Sequence, residues 1–303
     1  MRILLISDMH FSAEDTPAEY EKKHPGARVS AASGPLLGFT PAERMELMIS
    51  AVQKEHRKAP LGAIIIPGDL SIDDYPFRRL HANWCEKFKN DYLPRFPAPT
   101  YVIPGNHDSY PEEIWKGIFG RSRKFSTVLD GCLFLLADTY RDPARDPSGS
   151  PYTPLDLAWA RGEMEKHPGL PVFLIAHYFC LDKEPPEFFT FLAENPRIVM
   201  LFMGHSHRFE VRTLPGEVGG KPLVDIGAFS YYTRPTDGVW DFNIFHPEWR
   251  WGYQILELSG REAATYHVFP AATYRARNGV FDCAEEIHKK IIAPLFRGEE
   301  SEK

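Results

Sequence analysis

Short apolar runs alternate with amphipathic stretches along the first third of the chain. Three of these runs have the length of buried strands, and each is followed by a turn: residues 2–7, 63–66 and 100–103. After the first run, Thr40 is a candidate helix N-cap, Pro41 suits the first helical position and Glu43 would complete a capping box. The apolar face of this helix repeats at helical spacing over Met45, Met48, Ile49 and Val52. Strands alternating with helices predict an α/β fold in which helices pack on a sheet.

The rest of the chain continues in the same manner. A second helix would place Phe77, Leu80, Trp84 and Phe88 on one face. Asp130-Gly131 between two apolar runs predicts a hairpin with strands over 124–129 and 132–137. The remaining predicted elements are a helix near 154–166 capped by Thr153, strands at 172–176 and 198–203, mostly strands over 208–270, and a capped helix over 282–292. The polar connection over 11–39 is long for a compact domain, and such loops tend to be functional.

Composition and charge exclude several classes of protein. The chain has 303 residues, of which 43% are hydrophobic, so it can bury a sizeable core. We expect one domain over 1–270, with a C-terminal helix and frayed tail over 271–303 packed on it. The formal net charge of −6 disfavours broad electrostatic binding of nucleic acid. No apolar run approaches the about 20 residues that span a bilayer, and no export signal is visible at the start of the chain.

The four cysteines indicate the redox environment. Cys85, Cys132, Cys180 and Cys283 are scattered without C-x-x-C spacing, as in proteins that keep reduced thiols. We therefore expect a cytoplasmic protein, and the charge and hydropathy of the chain add the expectation of no nucleic acid or membrane partners. The oligomeric state is left open.

Polar side chains follow the ends of five predicted strands. These residues are Asp8, His10, Asp69, Asn106, His107, Asp108, His177, His205 and His207. Because ligand sites in open α/β sheets gather beyond the carboxyl ends of strands, we expect these side chains to share one rim. Each short pattern alone is more often a turn or a structural residue, but their joint occurrence favours a ligand site.

The chemistry of these donors suits first-row metal ions. Carboxylate, amide and imidazole groups bind Mn, Fe or Zn, and the absence of Cys among them argues against a structural zinc site. So large a set of donors is too many for one tetrahedral ion but fits two ions that share a bridging carboxylate. Two metals about 3.5–4 Å apart can clamp the attacking and leaving oxygens of a phosphoryl displacement.

The ordered patterns D-x-H, G-D, G-N-H-D, H and G-H-x-H resemble those of the calcineurin-like metallophosphoesterase superfamily. The resemblance implies a four-layer α/β/β/α sandwich and two divalent or trivalent metal ions, of Mn, Fe or Zn. The implied ligands are Asp8, His10 and His207 for the first metal, Asn106, His177 and His205 for the second, and Asp69 as the bridge.

The resemblance also implies a reaction. A phosphate ester would be hydrolysed by in-line attack of a hydroxide that the two metals activate. His107 would stabilise or protonate the leaving oxygen, with Asp108 as its orienting partner.

Differences between this sequence and the motifs of individual branches of the family narrow the range of possible substrates. Residues 68–74 lack the arginine of phosphoprotein phosphatases, and Ile72 stands where purple acid phosphatases have a tyrosine ligand. The chain is most similar in general to the D-x-H branch of small phosphatases and phosphodiesterases. Arg141 and Arg208 are the candidate substrate-binding cations, and so few cations favour a phosphodiester over the more highly charged monoester. The alternatives are a phosphomonoesterase with the same site and a non-catalytic scaffold of the same fold.

Aromatic residues crowd two parts of the sequence. The first group follows His177, and the second lies in the later strands: Tyr178, Phe179, Phe188, Phe189 and Phe191, then Phe229, Tyr231, Tyr232, Trp240, Phe242, Phe245, Trp249 and Trp251. These rings could form a stacking wall for a base or an aromatic leaving group. Packing in the second sheet or at a subunit interface is the favoured interpretation.

Overall fold

The computed structural model describes residues 1–12, 22, 34–71, 84–108, 110–142, 152–231 and 243–295. Its longer helices are α1 (Pro41–Lys58), α2 (Trp84–Asp91), α3 (Glu112–Phe119), α4 (Leu157–Lys166) and α5 (Pro186–Glu194). The strands up to the middle of the chain are β1 (Arg2–Leu5), β2 (Ala63–Pro67), β3 (Thr100–Ile103), β4 (Phe125–Leu129), β5 (Cys132–Ala137), β6 (Val172–Ala176) and β7 (Ile198–Met203). The later strands are β8 (Phe209–Thr213), β9 (Pro222–Ile226), β10 (Tyr253–Ser259), β11 (Glu262–Phe269), β12 (Ala272–Ala276), β13 (Gly279–Cys283) and β14 (Glu286–Pro294).

The strands form two large sheets and a small ribbon. The first sheet has the order β14-β11-β10-β1-β2-β3, in which β1, β2 and β3 run parallel. The second sheet has the order β4-β5-β6-β7-β9-β8, with a parallel centre from β5 to β9 and antiparallel strands at both edges. β12 and β13 pair as a separate antiparallel ribbon. The carboxyl ends of the parallel strands in each sheet therefore lie at one edge, where ligand sites form.

The two sheets pack face to face with helices outside them. Alternate residues of the central strands face opposite layers: Leu4 and Ile64 join the core beneath α1, α2 and α3, whereas Ile3 and Ile65 face the second sheet. The outer face of the second sheet is covered by α4 and α5 through a third cluster that includes Leu174. The predicted four-layer α/β/β/α sandwich is confirmed.

Several predicted elements are confirmed in detail. Thr40 caps α1, and its side chain accepts a hydrogen bond from the Glu43 N–H at 3.2 Å in a complete capping box. The helix near 154–166 begins later than predicted, because Asp156 and not Thr153 caps it by accepting from the Trp159 N–H at 3.0 Å. Of the predicted second helix, the part that includes Trp84 is α2, whereas Phe77 and Leu80 lie outside the described residues.

The predicted helix over 282–292 is wrong. Asp282 lies in β13 of the small ribbon, where it accepts a hydrogen bond from the Thr273 hydroxyl at 2.6 Å. The following residues form β14, which pairs antiparallel with β11 at the edge of the first sheet. Ala293 and Leu295 enter the core between the sheets, so tertiary burial outweighs the local helical pattern. The tail over 297–303 lies outside the described residues, and the boundary at 270 stays a prediction. No helix of the described residues combines the length and hydropathy needed to cross a bilayer.

Candidate metal centre

The loops that follow β1, β2, β3, β6 and β7 meet at one end of the sandwich. Main-chain hydrogen bonds join neighbouring loops: the Asp8 N–H donates to the Gly68 carbonyl at 3.2 Å, and the Gly204 N–H to the His177 carbonyl at 2.9 Å. His177 also connects the two sheets, because its Nδ1 lies 2.8 Å from the carbonyl oxygen of Pro67. The candidate residues of both sheets are thereby brought to one rim.

Asp8, His10 and His207 form the first cluster of donors. All three are buried, and their ligand atoms lie within 4.8 Å of one another. His207 Nε2 lies 3.1 Å from Asp8 Oδ1 and 3.1 Å from His10 Nε2. This is the trio that the resemblance assigns to the first metal.

Asn106, His177 and His205 form the second cluster, and Asp69 lies between the two. Asn106 Oδ1 lies 2.8 Å from His205 Nδ1 and 3.2 Å from His177 Nε2. Asp69 Oδ2 lies 3.2 Å from His177 Nε2 and 3.7 Å from His10 Nε2. The position of this carboxylate is the one that a bridge between two ions requires.

The backbone of these loops is held in an uncommon conformation. Five of the seven candidate ligands have a left-handed φ: Asp8 at 54°, His10 at 44°, Asp69 at 50°, His205 at 66° and His207 at 57°. A left-handed conformation costs free energy in residues other than glycine, and such residues are concentrated at functional sites. In the loop after β7, position 204 has room only for glycine, since a Cβ on Gly204 would lie 2.4 Å from Asp8 Oδ2.

Hydrogen bonds fix which ring nitrogen of two histidines faces the centre. The Nδ1 of His177 lies against the Pro67 carbonyl, and the Nδ1 of His207 lies 2.5 Å from the carbonyl oxygen of Tyr231. In each ring Nδ1–H therefore donates to a backbone carbonyl, so Nε2 is the nitrogen that can face a metal ion. Both Nε2 atoms point toward carboxylate oxygens of the centre.

Burial and mutual charge set the protonation of the donors. Burial alone would raise the pKa of Asp8, but His207 and His177 lower it to about 2. Burial lowers the pKa of His10 well below its usual value and that of His205 to about 4, so both imidazoles are neutral near pH 7. Ionised carboxylates and neutral imidazoles are the forms that bind metal ions.

His177 differs from the other histidines. Burial lowers its pKa, but the carboxylates of Asp69 and Asp8 outweigh this effect and raise it to about 10. Without a bound ion, Nε2 of His177 is therefore protonated near pH 7, and this proton must be lost before the nitrogen can bind a metal ion.

The residues present fit metal ions. Asp8 Oδ1 is fully buried without a hydrogen-bond partner, and His10 Nδ1 is likewise unpartnered in the described part of the chain. A buried carboxylate oxygen costs free energy unless a donor or cation satisfies it. The set of carboxylate, amide and imidazole donors suits Mn, Fe or Zn.

His107 lies beside the first cluster. Its ring is half-buried and meets the ring of His10 edge-on at 4.9 Å. The backbone N–H of His107 donates to Asp69 Oδ1 at 2.9 Å. The other oxygen of that carboxylate therefore faces the two clusters. The ring thus stands next to the candidate ligands, consistent with a role toward a bound substrate.

Asp108 has partners other than the predicted one. Its buried carboxylate accepts hydrogen bonds from the N–H groups of Leu70 at 3.1 Å, Ser71 at 3.0 Å and Gly105 at 3.1 Å. Burial, together with the nearby charge of Asp69, raises the pKa of Asp108. These contacts tie the loop after β2 to the loop after β3, so Asp108 supports the position of Asp69.

The two predicted substrate-binding arginines lie outside the clusters. Arg141 is exposed and follows Tyr140, whose hydroxyl lies 3.4 Å from His205 Nδ1. Arg208 follows the ligand His207, and its guanidinium lies 3.8 Å from the carboxylate of Glu210.

Most of the crowded aromatic residues are packing residues. Phe179, Phe188 and Phe191 are buried beneath α4 and α5, and Phe229, Phe245 and Trp251 are buried in the core beneath α1. The exceptions are Tyr178, whose ring lies 4.3 Å from that of His205, and Tyr231, whose ring lies 4.5 Å from that of His207. Tyr232, Trp240 and Phe242 lie outside the described residues, as does the side chain of Trp249.

Arg44 is a residue of this region that the sequence did not indicate. It extends from α1 without solvent exposure, and its Nη2 donates to the His10 carbonyl at 3.2 Å. Its Nε and Nη1 have no hydrogen-bond partner in the described residues, and burial lowers its pKa to about 10. In sequence it is one polar residue among many on the helix, so no local pattern distinguishes it.

Candidate donor clusters at one end of an α/β/β/α sandwich are consistent with the metallophosphoesterase fold. A family model described as calcineurin-like phosphoesterase matches residues 1–209, and the chain belongs to this family. None of the curated proteins compared matches the chain.

Three solved structures illustrate the similarity. Vps29 from Chaetomium thermophilum is 12% identical, with 98% of each chain covered and a TM-score of 0.42. GAP50, described as the anchor in the inner membrane complex of Plasmodium, is 12% identical over 95% of this chain and 88% of that chain, with a TM-score of 0.49. A predicted phosphoesterase from Streptococcus pneumoniae TIGR4 is 12% identical over 95% of this chain and 96% of that chain, with a TM-score of 0.35.

Proposed function

We propose that the protein is a phosphoesterase that hydrolyses a small-molecule phosphate ester with the help of two metal ions. The observation that carries this proposal is the position of Asp69 between the two donor clusters, with Oδ2 3.2 Å from His177 Nε2 and 3.7 Å from His10 Nε2. Membership of the calcineurin-like phosphoesterase family supports phosphohydrolase chemistry, and the family is typically dependent on two metals.

The proposed ligands are the seven donors that the rim brings together: Asp8, His10 and His207 for one ion, Asn106, His177 and His205 for the other, and Asp69 for both. When bound, two metal ions would supply an activated water as nucleophile and a Lewis acid at the phosphoryl oxygens. The chain's own contribution is to hold seven donors in place before any substrate arrives. Hydrogen bonds to Asp8, Asp69 and Asp108 from backbone N–H groups fix the loops for this purpose.

His107 is proposed as the group that serves the leaving oxygen. Its ring lies beside His10 at the edge of the first cluster and keeps partial contact with solvent, so a substrate can reach it. A positioned imidazole can donate a proton to a departing alkoxide, and such groups contribute about 10²–10⁴-fold to rate.

A phosphodiester is the proposed class of substrate. A diester carries one negative charge and a monoester close to two, and a second charge is best met by cations beyond the metals. Arg44 is fully buried and bonded to a backbone carbonyl, and Arg208 lies close to Glu210. Among the residues that the structure describes, few cations are therefore placed for the second charge of a dianion. A phosphomonoesterase with the same ligands is the second candidate, with Arg141 or Arg208 as the additional cation.

The proposed setting is the cytoplasm. All four cysteines are free thiols, and Cys85 and Cys132 are buried. Free thiols are typical of reducing compartments.

The direct test is hydrolysis by protein loaded with Mn²⁺, Zn²⁺ or Fe²⁺ after metal removal. We expect two ions per chain by elemental analysis and turnover of bis(p-nitrophenyl) phosphate that disappears with a chelator and returns with metal. Two bound ions without turnover of any phosphate ester in a broad screen would favour the non-catalytic scaffold.

A further inference from the structure

Ser206 lies between the candidate ligands His205 and His207 in sequence, and its side chain bonds to a residue that is not a candidate ligand. The flanking residues His205 and His207 both have a left-handed backbone, with φ of 66° and 57°. The Ser206 hydroxyl donates a short hydrogen bond to Asp225 Oδ2 and accepts the N–H of Arg208 at 3.2 Å. The side chain of Ser206 thus connects this loop to a carboxyl group that lies in the neighbouring strand.

Asp225 is a rigid anchor for that hydrogen bond. It is 2% exposed and lies near the end of β9, where it pairs in register with Met203 of β7. Its carbonyl oxygen accepts a hydrogen bond at 3.0 Å from Nε2 of His267, a fully buried residue of β11 in the other sheet. Asp225 is therefore fixed by contacts in both sheets of the sandwich. It can in turn fix the position of the loop after β7.

The loop has a physical reason to move if this contact is lost. Left-handed residues other than glycine persist only where surrounding contacts over-determine them. The loop after β7 contains two such residues, and the second carboxylate that holds it is Asp8, which accepts the His205 N–H at 2.9 Å. Without the bond between Ser206 and Asp225, the loop loses its side-chain link to β9, although His205 stays bonded to Asp8 and His207 to the Tyr231 carbonyl.

We propose that Asp225, acting through the Ser206 hydroxyl, is a positioning residue for both metal ions. The inference rests on the proposed function, in which His205 belongs to one ion and His207 to the other. One hydrogen bond then controls the geometry of a ligand to each ion. Residues that orient metal ligands in this way change metal affinity when they are replaced, by about 10–100-fold.

The test measures metal binding in the absence of substrate. Wild-type protein and the variants Ser206→Ala, Asp225→Leu and Asp225→Asn are dialysed against a series of Mn²⁺ concentrations, and bound metal is measured by elemental analysis. We expect Ser206→Ala and Asp225→Leu to weaken the binding of both ions by about 10–100-fold. Asp225→Asn keeps an oxygen that accepts from Ser206, so its affinity should stay close to that of the wild type.

Thr265→Val is the matched control. It removes two buried hydrogen bonds of a hydroxyl within the first sheet: Gln254 Nε2 donates to Thr265 Oγ1 at 2.6 Å, and the Thr265 hydroxyl donates to the Ile255 carbonyl at 2.8 Å. This variant should lower the melting temperature and leave both metal affinities unchanged. Ser206→Ala changes one small side chain, so it remains informative where Asp225→Leu fails to fold.

Unchanged affinity for both ions in Ser206→Ala would overturn the inference, as would an equal loss of affinity in Thr265→Val. An Asp225→Asn variant that binds metal as weakly as Asp225→Leu would also overturn it, because loss of the hydrogen bond would then not explain the loss of affinity. A wild-type protein that binds two ions but hydrolyses no ester contradicts the proposed function and leaves this inference standing. A wild-type protein that binds no metal overturns both.

Discussion

Asp69 Oδ2 lies 3.2 Å from His177 Nε2, although the two residues follow strands of different sheets. Asp69 follows β2 in the first sheet, and His177 follows β6 in the second. Neither sheet alone supplies both donor clusters, so the centre depends on how the sheets pack. That packing is set by the apolar layer between them, which includes Ile65 and Phe173. Because protein interiors are close-packed, the core between the sheets holds the metal ligands at fixed separations.

Asp69→Asn should lose metal and activity together. An amide at this position has no charge to place between two cations, and it is a weaker ligand than a carboxylate. We expect fewer than two ions per chain by elemental analysis and a loss of most of the turnover. Asp91→Asn is the control, because Asp91 lies in an exposed ion pair with Lys87 at the end of α2. Full activity of Asp69→Asn with two bound ions would contradict the bridging role.

His107→Ala should keep both metals and lose turnover by about 10²–10⁴-fold, the usual effect of a general acid. The loss should be small for p-nitrophenyl esters, whose leaving group needs little protonation, and large for alkyl esters. Turnover of both ester types by metal-loaded variant and wild type measures this difference. Equal losses for the two leaving groups would show that His107 positions substrate instead.

The candidate ligands could be placed at strand ends from the sequence, because strand ends are where apolar runs stop. Asp8, Asp69 and His177 each come within a few residues of such a run, and parallel strands bring the ends within each sheet to one edge. How the two sheets pack, which brings the two edges together, does not follow from these runs. The left-handed φ angles of Asp8 and Asp69 were not predictable from residue type, since Asp adopts this conformation infrequently.

Contacts between distant segments could not be predicted. The region over 282–292 has a helical pattern of polar and apolar residues, yet pairing with β11 makes most of it a strand. Asp225 is an ordinary strand residue in sequence, and its contact with Ser206 exists only because β9 lies beside β7. Arg44 reaches the His10 carbonyl for the same reason, through the packing of α1 on the first sheet.

Glu184→Gln should stabilise the protein above neutral pH. The buried carboxylate accepts hydrogen bonds from the Tyr152 hydroxyl and the Leu155 N–H, and burial raises its pKa. A raised pKa means that the folded state favours the neutral acid. The ordinary pKa of Glu is about 4.3. The wild type therefore loses stability as the pH rises from this value through the higher pKa of the folded state. Glutamine keeps an acceptor oxygen without this cost. Urea unfolding should show a more stable variant at pH 8 and no difference near pH 4.

Glu163→Gln is the control of opposite sign. A hydrogen bond from Lys166 lowers the pKa of Glu163, so its charge stabilises the folded state above the ordinary pKa and this contribution is lost as pH falls. The variant should therefore be slightly less stable than the wild type at pH 8. A destabilised Glu184→Gln at pH 8 would show that the charged form of Glu184 is favoured in the folded protein.

The last prediction concerns the charge of the substrate. With Mn²⁺ at neutral pH, we expect a higher kcat/KM for bis(p-nitrophenyl) phosphate than for p-nitrophenyl phosphate, because the described part of the chain places no dedicated cation for the second charge of the monoester. Arg44 has the charge but is buried behind His10, and the charge of Arg208 is partly offset by Glu210. Arg141→Ala and Arg208→Ala should accordingly leave the ratio of the two kcat/KM values unchanged. A monoester preference of about tenfold, which is about 1.4 kcal/mol of transition-state discrimination, that disappears in one of these variants would identify that arginine as a phosphate clamp and the protein as a phosphomonoesterase.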